Sequence, residues 1–154
     1  MSSEDIRLLL DAALEEKFEP GMDTGPGDAD GETQIDEEYF ERLRFFFDDN
    51  LLLAAVDLVD RDSVIKLNTA WGHKRYQVLG TTATYSVFPG QAVGAKKTPS
   101  YCTCASFAFS VLVTDQQHMC KHLLAVILAL RMKRALERTA NADEMAQICS
   151  RFVP

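Results

Sequence analysis

The sequence predicts an α+β fold: N-terminal helices, a small antiparallel sheet, and a β-β-α unit that ends in a buried C-terminal helix. Three observations carry this reading. Apolar residues recur at helical spacing as far as Val59. β-branched and aromatic residues with partial alternation take over from Ser63 to Cys104. Leu123 to Leu130 is apolar all round, as a central helix must be. A chain of 154 residues suits one domain, and at that length a core forms without needing a metal merely because the chain is small.

In order, Ser2 caps a first helix to about Lys17, with Glu4 and Asp5 in its first turn and Ile6, Leu9, Leu10 and Ala13 on one stripe. Residues 19–32, EPGMDTGPGDADGE, have too little apolar surface to pack and read as a flexible acidic linker. Residues 1–35 are thus a tethered helix and linker, free to fold back or to serve a partner, and 36–154 are one globular domain. From Asp36 an apolar face of Tyr39, Phe40, Leu43, Phe46 and Phe47 predicts a helix, and Leu51–Val59 a second. Phe45, Phe46 and Phe47 are expected in the core.

Ser63–Asn68 and Arg75–Leu79 are expected as strands around a turn at Gly72, with Trp71 covering the edge of the core. Thr81–Phe88 makes a third strand, residues 91–100 a loop carrying Lys96 and Lys97, and Tyr101–Cys104 a fourth strand. Ser106–Leu112 supports one or two helical turns, and 114–119 is a loop. The apolar helix that follows is expected to run to Asn141, with Arg131, Lys133, Arg134 and Arg138 toward its end, before a last short helix over 142–152.

Charge is unevenly spread. Residues 1–60 hold 18 acidic and 4 basic side chains, whereas 61–154 hold 5 acidic and 12 basic, within a net charge of −7. The basic part could meet a polyanion such as nucleic acid, or the two parts could neutralise each other within the fold or across an interface. No apolar segment follows a basic start, so no signal peptide is expected. The longest apolar run is eight residues, Leu123–Leu130, against the ~20 that a membrane span needs. The chain reads as intracellular, where cysteines serve metal or redox roles more than disulfides.

The chemistry is concentrated between Tyr101 and Leu128. Cys102 and Cys104 share i, i+2 spacing, which on a strand aims both sulfurs at one point. Cys120 and His122 have the same spacing, but inside a helix they would lie about 200° apart. They converge only if Cys120 precedes the helix and His122 opens it. Three thiolates and an imidazole make a closed tetrahedral set suited to one structural Zn²⁺, with no position left for a catalytic water. The helix start would offset part of the site's net charge, and a carbonyl or carboxylate is expected to hold the second nitrogen of His122. His118 offers the same spacing from Cys120 and competes, but His122 is the expected ligand. Cys149 is expected to be a buried apolar thiol. Cys120 and His122 are too close in sequence for a separated nucleophile and base, and there is no Cys-x-x-Cys, so no catalytic residue is expected.

Cys102-x-Cys104 followed by Cys120-x-His122 resembles the SWIM zinc-binding motif, and Cys120–Val126 (CKHLLAV) is similar to a common form of its second half. Residues 57–61 (DLVDR), 76–80 (YQVLG) and 105–112 (ASFAFSVL) resemble the SWIM-domain subunit of the Shu complex, with Ala105 where that branch often has proline. The resemblance implies a zinc-stapled SWIM unit at about 62–130 that uses these four ligands. It also implies a non-enzymatic nuclear adaptor in homologous recombination and DNA repair, one that pairs with a RecA-like recombinase paralogue to promote recombinase filaments on single-stranded DNA. The alternative is a stand-alone nucleic-acid-binding zinc domain using Lys96, Lys97, Arg131, Lys133, Arg134 and Arg138. No membrane or small-molecule partner is expected.

Overall fold

The change of period near Asp60 is where helices give way to sheet. The computed structural model of the chain describes residues 2–15, 37–72, 74–93 and 96–150. The expected linker at 19–32 and the turn residue His73 lie outside the described residues.

Helix α1 (Ser3–Glu15) opens with a reciprocal cap. The Asp5 N–H donates to Ser2 Oγ at 3.2 Å, and the Ser2 N–H donates to the Asp5 carboxylate at 2.8 Å. That bond holds Asp5 below the usual carboxylate range. The helix folds back on the body: Leu10 is buried in the main core, while Asp11 and Glu15 receive Lys97 at 2.7 and 3.4 Å.

Helix α2 (Glu37–Arg44) buries Tyr39 and Leu43. Of the three phenylalanines after it, Phe47 is buried and Phe46 packs at the edge, but Phe45 is 70% exposed. Core was the expectation for all three, and the helix stops one residue before Phe45, which turns that side chain outward. Helix α3 (Asp49–Asp60) is capped by Asp48, whose carboxylate accepts the Leu51 N–H at 2.8 Å, and it buries Leu52, Ala55 and Val59.

Strands β1 (Val64–Thr69), β2 (Lys74–Leu79) and β3 (Thr84–Phe88) form an antiparallel meander as the alternation predicts. Trp71, in the turn between β1 and β2, is 52% exposed and does not cover the core edge. The expected loop after β3 carries a separate two-strand ribbon, β4 (Ala92–Val93) with β5 (Lys96–Lys97). Strand β6 (Tyr101–Cys102) then pairs with β3. It is two residues long, shorter than the expected 101–104.

Residues 107–113 form a π-helix in place of ordinary helical turns, closed by the Thr114 N–H on the Phe109 carbonyl at 2.9 Å. Helix α4 (Lys121–Arg131) follows the loop and buries His122, Leu123, Leu124, Ala125, Val126, Leu128 and Ala129. It ends ten residues earlier than expected. Lys133 has φ +56°, the Lys133 N–H donates to the Leu130 carbonyl at 3.3 Å, and the Arg134 N–H reaches back to Ala129 at 2.9 Å. This is the Schellman termination, in which glycine usually takes the left-handed position. A lysine there hides the stop from a sequence reader. Replacing Lys133 by glycine relieves left-handed strain of about 1–2 kcal/mol and restores part of that as unfolded-chain entropy. Lys133→Gly is therefore expected to stabilise by up to about 1 kcal/mol, read as a small rise in denaturant midpoint at constant slope.

The chain then forms β7 (Leu136–Ala140), parallel to β1 from Ile65–Leu136 to Thr69–Ala140. The five-stranded sheet, in the order β6-β3-β2-β1-β7, is thus mixed and not purely antiparallel. Helices α2, α3 and α4 build the main core on one face with Val64, Val78 and Val87, while Leu67, Ala140 and Met145 form a smaller cluster with helix α5 (Ala142–Ser150). Met145 is the residue α5 buries, and Cys149 is exposed, contrary to expectation. The helix is short, and Cys149 sits about 100° round its axis from the packed Ile148.

Candidate metal centre

Strand β6 places Cys102 opposite Val87, facing the main core. The chain then leaves the strand. Thr103 ties itself to β3, its N–H on the Ser86 carbonyl at 3.1 Å and its hydroxyl accepting the Ser86 N–H at 3.0 Å. Cys104 lies beyond, where the backbone begins to coil, and its sulfur accepts the Phe107 N–H at 3.2 Å. Convergence of the two sulfurs therefore comes from a strand end and a turn, not from two positions on one strand. The second pair is built as its spacing requires. Cys120 is the extended residue before α4 (φ −85°, ψ 166°), and His122 is in the first turn.

All four side chains are buried, and their ligand atoms lie within 4.8 Å of one another. Cys102 Sγ and His122 Nδ1 are 4.0 Å apart. A zinc tetrahedron with ordinary Zn–S and Zn–N bonds has edges of about 3.5–3.8 Å, so small side-chain movements close the set on one ion. His118 is half-buried in the loop and outside this cluster.

Among the described residues no carbonyl or carboxylate bonds to the His122 ring. Its orientation is set by Tyr85, whose ring stacks on it with centroids 4.2 Å apart at 29°. Gly80 makes room for that ring. A Cβ at position 80 would lie 2.7 Å from Tyr85 Cε2 and 2.9 Å from the Ala83 carbonyl oxygen. Gly80 is visible in the sequence as punctuation between strands, but nothing local there signals a service to His122.

Three sulfurs this close cannot all carry charge. Hydrogen bonds from the Cys102 and Cys120 thiols pull Cys104 far below the usual thiol range, with the Phe107 N–H helping. Cys102 is pushed far up by its bond to Cys104, then by Cys120 and burial. At Cys120 the contact with Cys102 lowers the value, but Cys104 and burial outweigh it and push the thiol up to about 11. The negative charge of the cluster is thus drawn toward Cys104, and a divalent cation is what lets all three sulfurs ionise.

Three of the six basic residues considered for nucleic acid face acids of the same chain. Lys97 is bound to Asp11 and Glu15, which hold its ammonium above the ordinary range despite partial burial. Arg134 pairs with Asp60 and Asp62 at 3.0 and 3.5 Å, and Arg138 with Glu144 at 3.6 Å. Arg131 lies 3.9 Å over the Tyr39 ring. Lys96 is exposed on β5, and Lys133 is exposed at the turn that ends α4. Lys97 and Arg134 thereby bring the basic part of the sequence against acids of the first sixty residues.

A buried, closed Cys₃His set that joins a sheet edge to a helix start defines a structural zinc-finger domain. The SWIM zinc finger family model matches residues 85–131, the segment that holds all four ligands. The chain is 36% identical over 118 residues to Zinc finger SWIM domain-containing protein 7 of Danio rerio, covering 77% of this chain and 79% of that one. It is 34% identical over 116 residues to the Homo sapiens protein of the same name, covering 75% and 76%. The chain belongs to the SWIM zinc-finger family, alongside these proteins. No solved structure gives a significant match.

Proposed function

We propose that this chain is a non-enzymatic adaptor in homologous recombination and DNA repair, acting in the nucleus. It pairs with a RecA-like recombinase paralogue and promotes recombinase filament assembly on single-stranded DNA. The observation that carries this reading is the closed site. Four buried protein ligands around one point leave no open position for substrate or water, so the ion holds a surface in shape and performs no reaction. Similarity over three quarters of the chain to Zinc finger SWIM domain-containing protein 7 supports it, as does the resemblance of residues 57–61, 76–80 and 105–112 to the Shu-complex subunit. A stand-alone nucleic-acid domain built on Lys97, Arg134 and Arg138 has less support, since their charges face acids of the same chain.

The test is capture of a purified RecA-like paralogue by the zinc-loaded chain, side by side with Cys120→Ser. Wild type is expected to carry one zinc and retain the paralogue, and the variant to lose both. A wild type that captures no paralogue, or a zinc-free variant that captures it equally well, would overturn the reading.

A further inference from the structure

At one end of the sheet a cleft of about 270 Å³ opens where β2 begins, β3 ends and β6 begins. Three planar groups stand in a row across these strands. Phe88 on β3 pairs in register with Tyr101 on β6, their centroids 6.4 Å apart. On the other side of Phe88, the Arg75 guanidinium lies 4.7 Å over its ring. Tyr101 is braced edge-on by Phe107 at 5.6 Å yet remains 43% exposed. The opposite wall is the chain crossing at Gly90 and Thr98. The Gln91 N–H donates to Thr98 Oγ1 at 2.7 Å, and the Thr98 N–H to the Gln91 carbonyl at 2.8 Å. Gly90, with φ +81°, lets the strands approach so closely that a Cβ there would sit 2.6 Å from the Thr98 carbonyl. The cleft is therefore preformed.

It also carries two neighbouring cations. Most described cations lie within ion-pair distance of a carboxylate, including Arg7, Arg42, Arg44, Arg61, Lys66, Lys97, Arg134 and Arg138. Lys74 and Arg75, neighbours at the mouth of the cleft, have no such pair among the described residues. Glu137, on the neighbouring part of the sheet, is bonded to Lys66 at 2.6 Å and to Asn68 at 3.2 Å. In a chain of net charge −7, two adjacent cations without an ion pair among the described residues, beside the exposed Tyr101 ring, meet the requirements of a single-stranded nucleic-acid track. Rings stack bases, a guanidinium plane stacks or binds phosphate, and an ammonium meets the next phosphate.

We infer that the Lys74–Arg75–Phe88–Tyr101 cleft binds single-stranded nucleic acid, with a base on Tyr101 and phosphates on Lys74 and Arg75. The inference deepens the proposed function by naming where this adaptor touches the strand, and it rests on that reading. None of the basic residues singled out from the sequence lines this cleft.

The test is fluorescence anisotropy of the full, zinc-loaded chain with labelled dT16 and rU16 over a salt series, followed in parallel by quenching of Trp71, the single tryptophan of the chain. Two phosphate contacts predict a slope of log K against log salt of about −1.4, and Lys74→Ala or Arg75→Ala should each reduce it by about 0.7. Tyr101→Ala is expected to weaken binding about tenfold or more, with Tyr101→Phe close to wild type. Each variant is checked for one zinc per chain. Equal binding of dT16 and rU16 supports a track that reads base and phosphate alone, and preference for either supports one that also reads the sugar. Absence of binding at low salt, or affinity and slope indifferent to all three alanine variants, overturns the inference. Paralogue capture by the same variants separates the two readings. Wild-type capture without oligonucleotide binding removes the cleft and leaves the adaptor, whereas loss of capture in Tyr101→Ala with no binding to either oligonucleotide makes the cleft a protein interface.

Discussion

Cys104→Ser is expected to abolish zinc binding and to lower the thermal midpoint by more than about 10 °C. Cys104 is the sulfur on which the cluster's negative charge settles, and it is the one fixed by the Phe107 N–H. A serine hydroxyl can accept that hydrogen bond but does not replace a thiolate on zinc. Structural zinc in small domains contributes about 10–16 kcal/mol of apparent binding energy, against a total domain stability of about 5–15 kcal/mol. Most of the main core here is built from apolar side chains other than the ligands, so the expected loss is a fraction of that figure, on the order of 5 kcal/mol, equivalent to about 10–20 °C at this size. The checks are metal content and a melting curve. A zinc-free Cys104→Ser chain melting within about 2 °C of wild type would show that the ion does not hold the fold. The pH dependence has a definite sign. Because Cys102 and Cys120 are raised and Cys104 is lowered, zinc must displace two protons near neutrality. Its affinity is therefore expected to fall about a hundredfold per unit of acidification.

Leu124→Ala is expected to cost about 2–5 kcal/mol while leaving one zinc per chain. Leu124 is fully buried in α4, two residues beyond His122, within the core that α3 and the sheet share. The two substitutions separate packing from ligation, since one removes the metal with the core intact and the other hollows the core with the ligands intact. A Leu124→Ala chain that loses zinc in proportion to its stability would mean that α4 is positioned by its packing before the metal can hold it.

What the sequence disclosed and what it concealed follow from how far each signal reaches along the chain. The placement of Cys120 before a helix and His122 within it was legible because i, i+2 spacing admits one convergent geometry at a helix start. The meander of β1 to β3 was legible from alternation and from Gly72. Strand β7 was not, because Leu136-Glu137-Arg138-Thr139-Ala140 suits a helix by composition, and the stop before it rests on a lysine in a left-handed conformation. The ring that holds His122 was hidden because Tyr85 is brought to it by tertiary packing. The partner of Lys97 was hidden for the same reason: it meets Asp11 across 86 positions, a pairing that no local pattern records.

The two edges of the sheet bear on how this chain behaves in a crowd of its own kind. An open strand edge is a template on which another chain can add and aggregate. One edge, β6, is only two residues long and passes at once into the metal-binding turn. The other, β7, presents Glu137 and Arg138 to solvent, charges that oppose the approach of a second strand. Neither edge among the described residues is long, flat and apolar. Loss of the ion would free the β6 end from its turn, and metal starvation would thereby become a hazard to solubility as well as to shape.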